Sequence, residues 1–228
     1  MTATVGDPGR PARPFDAVLF DMDGVIVDSM PLHREVWVAF ARLHGLNPTD
    51  DEVRAADGRR AVEVVTLLFG DRLSEADVAR LAAEREAYFH AQLAAGEVRA
   101  VPGAEAFLRA LGQAGVPRVL ATSSAAANVA QFLSRLGFAD LFEAVVTAKD
   151  VTRGKPHPEV YLKAARQVAA APVRCLVVED AVAGVQAGKA AGSRCLGLTT
   201  SLESGILVAA GADWVAADFT ALPPELLA

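Results

Sequence analysis

Two hydrophobic periods divide the chain. The run Ala17-Val18-Leu19 leads into Phe20-Asp21-Met22-Asp23-Gly24, and a short unbroken apolar run of this kind reads as a buried strand. From Pro31 the spacing turns helical: Leu32, Val36, Trp37, Phe40 and Leu43 share a face, and Gly45 is a stop. Ala61 to Phe69 reads as a second helix. Ser74, with Asp77 three positions on, is the N-cap of a third, whose apolar stripe takes in Val78, Leu81, Tyr88 or Phe89, and Leu93. No stretch of residues 31–96 reads as a convincing strand.

Beyond that block, strands and helices alternate. Pro102-Gly103 precedes a helix with Phe107, Leu108 and Leu111, ended by Gly115. Pro117 to Thr122 is a predicted strand, and Val129, Phe132, Leu133 and Leu136 line a helix ended by Gly137. Ala144 to Thr147, Arg174 to Glu179 and Ser193 to Leu198 are further strands, with helices over Pro158 to Val168 and Val182 to Ala191. Asp213 to Val215 is a last short strand. This rhythm implies right-handed crossovers and a parallel sheet, an α/β Rossmann-like core. The first strand belongs to that core and the helical block interrupts it. The expected division is a leader of residues 1–14, a core of residues 15–30 and 97–228, and an inserted helical domain of residues 31–96. Its linkers, near Asp28–Met30 and Gly96–Pro102, are expected to act as hinges.

Composition narrows the partners. The chain has 228 residues, 52% hydrophobic and 22% charged, enough for a sizeable core. A net charge of −6 without a Lys/Arg run argues against nucleic acid. No segment has the length and apolarity of a membrane span, and the Pro/Gly-rich leader lacks the apolar centre of a signal peptide. A disordered leader on a cytoplasmic protein, monomeric or a small homo-oligomer, is the expectation. Cys175 and Cys195 lie in apolar runs and read as buried reduced thiols. An acidic chain that binds phosphate must do so locally, with a metal ion, backbone N–H groups and a few cations.

Such groups recur where predicted core strands end. Asp21 and Asp23 close the first strand, and Gly24 lets the chain turn there. Leu120-Ala121-Thr122-Ser123-Ser124 ends a strand in hydroxyls. Gly154-Lys155-Pro156-His157-Pro158 sets a lysine before a helix, and Val177-Val178-Glu179-Asp180 ends a strand in two more acids. Each has a plain structural alternative. An acidic pair can cap a turn, Thr122 or Ser123 can N-cap the next helix, Lys155 can be a solvated charge, and Glu179 and Asp180 can face a helix dipole. Together, on one edge of one sheet, they form a complete set for metal-assisted phosphoryl transfer.

With those motifs in that order, the chain resembles the haloacid dehalogenase-like superfamily over residues 15–215. The insert resembles the small α-helical cap of the subgroup that holds β-phosphoglucomutase and many sugar-phosphate phosphatases, a likeness strengthened by Asp28-Ser29-Met30-Pro31-Leu32-His33 and Trp37. The resemblance implies that Asp21 attacks phosphorus to give an aspartyl-phosphate and that Asp23 first protonates the leaving oxygen, then activates water. It implies Mg²⁺ held by Asp21, the Asp23 backbone carbonyl and Asp180, with Glu179 direct or one shell out. Thr122 and the Ser123 N–H would bind phosphoryl oxygens, and Lys155 would balance charge on Asp21 and the phosphoryl group.

Asp23 separates this chain from family dehalogenases, which lack that acid because halide leaves without a proton. Phosphonatases use a cap lysine, whereas the lysines here are Lys149, Lys155, Lys163 and Lys189, all outside the insert. His33 resembles a mutase histidine that engages the acid/base aspartate. Against a mutase, Ser124-Ala125-Ala126 stands where the mutase carries Ser-Lys-Asn, and Asp57-Gly58-Arg59-Arg60-Ala61 has its cap cations displaced. The expected enzyme is therefore an Mg²⁺-dependent phosphatase acting on a small phosphorylated metabolite, a sugar or polyol phosphate. The alternatives are a β-phosphoglucomutase-like mutase and a catalytically silent metabolite-binding protein. Arg59 and Arg60 are the cap residues expected to read the substrate, since guanidinium suits phosphate, carboxylate or polyol oxygens. Trp37 is expected in the core, and His157 can simply shape the lysine loop.

Overall fold

A computed structural model of the protein describes residues 14–226, so the expected leader lies, Pro14 apart, outside the described residues. The strands are β1 (Ala17–Phe20), β2 (Arg118–Ala121), β3 (Ala144–Val146), β4 (Cys175–Glu179), β5 (Arg194–Leu198) and β6 (Trp214–Ala216). They form one parallel sheet in the order β3-β2-β1-β4-β5-β6. Chain order reverses between β1 and β4, and at such a switch point the loops on the two sides diverge and leave a crevice beyond the strand ends.

Both faces of the sheet are covered, which is why its strands are continuously apolar rather than alternating. Val18, Phe20, Leu120, Leu176 and Val178 point into one buried cluster. Their neighbours Ala17, Leu19, Val119, Ala121 and Val177 point into the other, as the two-residue period of a strand requires. Helices α5 (Ala104–Gln113), α6 (Ala126–Leu136), α7 (Glu159–Gln167), α8 (Val182–Ala190) and α9 (Ser204–Ala209) accompany the sheet.

Between β1 and β2 lie α1 (Met30–Leu43), α2 (Asp50–Arg54), α3 (Ala61–Phe69) and α4 (Glu75–Ala95). They pack around a separate cluster of Trp37, Phe40, Val53, Val64, Val65 and Leu81, while Phe89 and Leu93 of α4 reach the cluster over the sheet. The two connections pair with each other. Asp28 N–H donates to Arg99 at 2.9 Å, Val101 N–H donates to Ile26 at 3.1 Å, and Val27 and Ala100 form an antiparallel bridge.

Some boundaries differ from the sequence expectation. Helix α1 begins at Met30, and β6 covers Trp214–Ala216 rather than starting at Asp213. Asp213 sits just before the strand, its N–H donating to the Cys195 carbonyl at 2.9 Å while its carboxylate takes the Cys195 N–H at 2.7 Å and pairs with Lys189. Two short helices escaped the periodicity. Helix α2 spans barely more than a turn but carries a readable capping box, with Thr49 and Glu52 bonding each other's backbone. Helix α9 has six residues and shows no such signal. Cys175 and Cys195 are buried and unbonded to each other, and burial pushes the thiols up to about 11 and about 12.

Phe20 is fully buried, with Phe107, Phe142 and Phe219 rings at 6.1, 6.2 and 6.2 Å. Phe20→Ala is expected to cost about 3–5 kcal/mol of unfolding free energy, read by urea denaturation with an unchanged slope.

Candidate active site

The crevice beyond β1 and β4 gathers the acids. Parallel pairing sets Phe20 beside Val178, so Asp21 and Glu179 follow at the same level. Ligand atoms of Asp21, Glu179 and Asp180 lie within 4.8 Å of one another, and all three side chains are buried. The packing is tight enough to dictate the neighbouring residues. Gly24 has φ +76°, and a Cβ there would lie 1.9 Å from the Asp180 carboxylate. A Cβ on Gly184 of α8 would lie 1.8 Å from that of Glu179.

One ammonium enters this cluster. Lys155 Nζ donates to Asp21 at 2.6 Å and to Glu179 at 2.7 Å, from a side chain with no exposed surface. Tyr161 of α7 donates its hydroxyl to the same Glu179 oxygen at 2.6 Å, and the other oxygen takes the N–H groups of Asp180 and Ala181. Glu179 is thereby fixed from four directions. Burial pushes the Asp21 carboxyl up to about 7, Lys155 opposing this while Glu179 and Asp23 reinforce it. Asp180 is raised well above the ordinary range by burial, Glu179 and Asp21. Lys155 is raised, its two carboxylate partners outweighing burial. Three hard oxygen donors short of positive charge suit a divalent cation such as Mg²⁺.

Asp23, two residues from Asp21, faces a different set of groups. Its Oδ1 accepts from Ser29 Oγ at 2.6 Å and His33 Nε2 at 3.0 Å, and its Oδ2 from Ser124 Oγ at 2.6 Å. Burial alone would raise this carboxyl, but His33 and the three hydrogen bonds outweigh it and hold it down at about 2. The Asp23 side chain is not among the three clustered carboxylates. Thr122, buried at the end of β2, faces the same crevice, and its hydroxyl takes the Ser124 N–H at 3.0 Å.

The inserted helices close over this floor. Ser123 Oγ donates to the Gly58 carbonyl at 2.8 Å, and a Cβ on Gly58 (φ +76°) would come within 3.0 Å of that of Ala181. Arg34 pairs with Asp57, and Arg34 and Arg54 both donate to the Ser201 carbonyl. Ser201 in turn donates its hydroxyl to Asp180. A cavity of about 60 Å³ over Asp21 and Asp23 adjoins one of about 330 Å³. His33, Trp37, Arg59, Ser123 and Ser124 line both.

The two expected reader arginines differ. Arg60 is engaged by Glu63 and by the Thr152 carbonyl at 3.1 Å, so it ties insert to core as well as lining the larger cavity. Arg59 donates Nε to Ala55 of its own loop and remains exposed at the cavity edge. Trp37 is buried yet also lines both cavities. His157 stands in the lysine loop, its Nδ1 buried without a partner.

Sequence reasoning missed Arg85. It is 2% exposed, its guanidinium lies 4.5 Å from the Trp37 ring and 4.9 Å from that of Phe89, and it donates to His33 Nδ1 at 2.9 Å. Arginine only donates, so Nδ1 accepts and the Nε2–H of His33 points at Asp23. The signal was present: Leu81, Arg85, Phe89 and Leu93 are spaced by four, which places an arginine inside the apolar stripe of α4. Ser29 and Ser124 stood in the quoted motifs without a role, and Tyr161 and Ser201 were missed because nothing local distinguishes them from other surface or core residues.

A parallel sheet with this strand order and acids gathered at its switch point defines an α/β enzyme class, and the chain's own motifs define which. Residues 15–192 match the model of the haloacid dehalogenase-like hydrolases, and the chain belongs to that family. It is 38% identical to hexitol phosphatase A of Escherichia coli over 82% of this chain and 84% of that one. It is 36% identical to validoxylamine A 7'-phosphate phosphatase of Streptomyces hygroscopicus subsp. limoneus over 90% and 95%. The crystal structure of β-phosphoglucomutase from Clostridium difficile shares the fold, with a TM-score of 0.83, 24% identity and coverage of 93% and 95%.

The acid cluster makes a test of metal binding possible without turnover. The folded chain keeps a proton on Asp21 up to about 7, whereas an ordinary aspartate releases it near 3.8, so this group makes the metal-free fold less stable as pH rises between those values. A cation must displace that proton below about 7 and need not above it. Added Mg²⁺ is expected to raise Tm more at about pH 8 than at about pH 6. An equal shift at both would contradict ligation by Asp21.

Proposed function

We propose that this protein is an Mg²⁺-dependent phosphatase of a small phosphorylated sugar or polyol. One observation carries the reading: the two aspartates that end β1 are given separate surroundings. Asp21 faces Lys155 and the metal-suited cluster, and Asp23 faces the hydroxyls and His33 of the insert side. Two carboxylates with environments that push them apart are suited to different steps.

In this reading residues 31–96 act as a cap that closes over the core. Asp21 is the nucleophile, and its attack on phosphorus forms an aspartyl-phosphate as the ester bond breaks. Lys155 orients Asp21 and offsets negative charge there, and Thr122 with the Ser123 N–H receives the phosphoryl oxygens. Asp23 gives its proton to the leaving oxygen; the arriving phosphoryl charge raises its proton affinity from the low value of the free site. As a carboxylate it then takes a proton from the water that opens the aspartyl-phosphate. Asp21, Asp180, the Asp23 carbonyl and Glu179 are the groups that would hold Mg²⁺, with Glu179 the most constrained by other bonds. Bound Mg²⁺ supplies charge neutralisation between carboxylates and phosphoryl oxygens.

The relatives support a sugar-type substrate, since one acts by name on a hexitol phosphate and another on a phosphorylated validoxylamine. A cavity of about 330 Å³ beside the reacting acids fits a leaving group of that size. A phosphomutase is the second reading, favoured by His33 on Asp23. Ala125 at the larger cavity, where the mutase carries a cation, weighs against holding a second phosphate. A silent binding protein is disfavoured because every motif position carries a competent side chain.

Purified protein with Mg²⁺ is expected to release phosphate from 4-nitrophenyl phosphate and from members of a hexitol and hexose phosphate panel, and Asp21→Asn to abolish both activities. With β-glucose-1-phosphate and a bisphosphate primer, free phosphate is the expected product. Glucose-6-phosphate without free phosphate would make the mutase reading correct, and binding without turnover across the panel would make the binding reading correct.

A further inference from the structure

Behind His33 a chain of hydrogen bonds runs back into the core. Arg85 Nη1 donates to Glu86 Oε1 at 3.0 Å, and Asn128 Nδ2 donates to Glu86 Oε2 at 2.9 Å. The Asn128 carbonyl oxygen is met by His90 Nε2, which completes the amide's pairing. Asn128 lies on core helix α6 and is 1% exposed, whereas Glu86, Arg85 and His90 lie on α4 of the insert. From Asn128 the bonds pass through Glu86, Arg85 and His33 to Asp23, starting and ending on the core and crossing the insert between.

We infer that Asn128 is a positioning residue for Asp23, acting through Glu86, Arg85 and His33 and only while α4 lies against α6. Three physical points support this. First, Arg85 is buried between two aromatic rings with its Nε unpartnered, so its orientation depends on its two terminal nitrogens, one held by His33 and one by Glu86. Glu86 is itself anchored by Asn128, so loss of that anchor frees the guanidinium to turn away from His33.

Second, the bond sits where closure would be felt. Arg135, seven residues along α6, donates to the Leu93 and Gly96 carbonyls at 2.8 and 2.6 Å, next to the linker. Asn128 and Glu86 lie two helical turns, about 10 Å, further from that linker. A movement of the insert about its linkers leaves the Arg135 ties nearly in place and parts Asn128 from Glu86.

Third, a buried amide with both its polar ends used is costly to retain unless the bonds are made. Apolar residues already supply the packing of α6, through Val129, Phe132 and Leu133. The amide contributes direction rather than burial. It holds the Glu86 carboxylate, which no apolar residue could do.

The inference rests on the proposed roles of Asp21 and Asp23, and the experiment separates the two. Asn128→Asp keeps the shape and the His90 contact but turns the donor facing Glu86 into a second carboxylate. It is expected to lower kcat/KM for a hexitol phosphate, which reports only the steps up to loss of an alkoxide that needs a proton to leave, by about tenfold or more. The kcat/KM for 4-nitrophenyl phosphate, whose phenolate leaves unaided, is expected to fall by less than about threefold. The double variant Glu86→Gln with Asn128→Asp reverses the polarity of the bond, since an amide at position 86 can donate to a carboxylate at position 128 and its carbonyl can accept from Arg85. It is expected to restore kcat/KM for the hexitol phosphate to within about threefold.

Nitrogen NMR of His33, assigned with His33→Asn, reads the same relay without turnover. The wild type is expected to show an accepting Nδ1, with that signal moved in Asn128→Asp and returned in the double variant. Equal loss on both substrates, absence of rescue, or an unmoved His33 signal would overturn the inference. An inert wild type with the expected NMR pattern would instead sink the phosphatase reading and leave the relay standing.

Discussion

Everything in this molecule is arranged around three carboxylates withheld from water with one ammonium among them. Asp21, Glu179 and Asp180 repel one another, and the raised Asp21 and Asp180 carboxyls reflect that repulsion on top of their burial. Buried charge of one sign is tolerated only when geometry fixes every partner. Lys155 sits between Asp21 and Glu179, Tyr161 and two N–H groups complete Glu179, and Ser201 meets Asp180. Gly24 and Gly184 are required because no side chain fits where these oxygens lie. The sheet, apolar on both faces, supplies the favourable burial that offsets the cost of holding them.

The strand order explains why the acids can meet at all. Residues 21 and 179 are far apart in sequence, but β1 and β4 are adjacent, and their common register brings both strand ends to one level. The same geometry explains the difference between Asp21 and Asp23. One turns towards β4 and the lysine loop. The other turns towards the departing chain and the helices that chain builds, so its partners Ser29 and His33 come from the start of the insert. The insertion point therefore puts the insert within reach of Asp23, which the core also meets through Ser124.

Much of this was legible in the residues. The strand–helix rhythm predicted the parallel sheet, and the motifs Asp21-Met22-Asp23-Gly24, Thr122-Ser123, Lys155 and Glu179-Asp180 predicted the family. The sheet gathers those residues into one crevice. What stayed hidden depends on contacts between distant segments. Ser201 looks like an ordinary loop hydroxyl until the chain brings it to Asp180, and Ser124, one of the strand-end hydroxyls, shows its partner Asp23 only in the fold. Arg60 looked like a free cation, yet its guanidinium is occupied by Glu63, three residues on, and by the Thr152 carbonyl, which only the fold brings near. Arg85 could have been noticed, because a charged residue at the fourth step of an apolar stripe must find a buried partner.

The balance between hydrolysis and transfer turns on how long water is kept from the site once the leaving group has gone. The cavity over Asp21 and Asp23 is small, about 60 Å³, whereas the adjoining one is about 330 Å³. A leaving alcohol held in the larger space would screen Asp21 from water, and a second anion on that alcohol would hold it there longer. Of the cations that line the larger space, Arg59 and Lys149 are exposed and Arg60 and Arg85 are already paired, while Ala125 contributes no charge. A neutral polyol in that space has few strong holds, and surface-exposed ion pairs add little even where they form. Once such an alcohol departs, the polar walls of Ser123, Ser124 and Asp23 offer water several partners, and under the proposed roles Asp23, already a carboxylate, would take its proton there. Retention for a second transfer would therefore rest on Arg59 and Lys149, since Arg60 and Arg85 are held by Glu63 and Glu86.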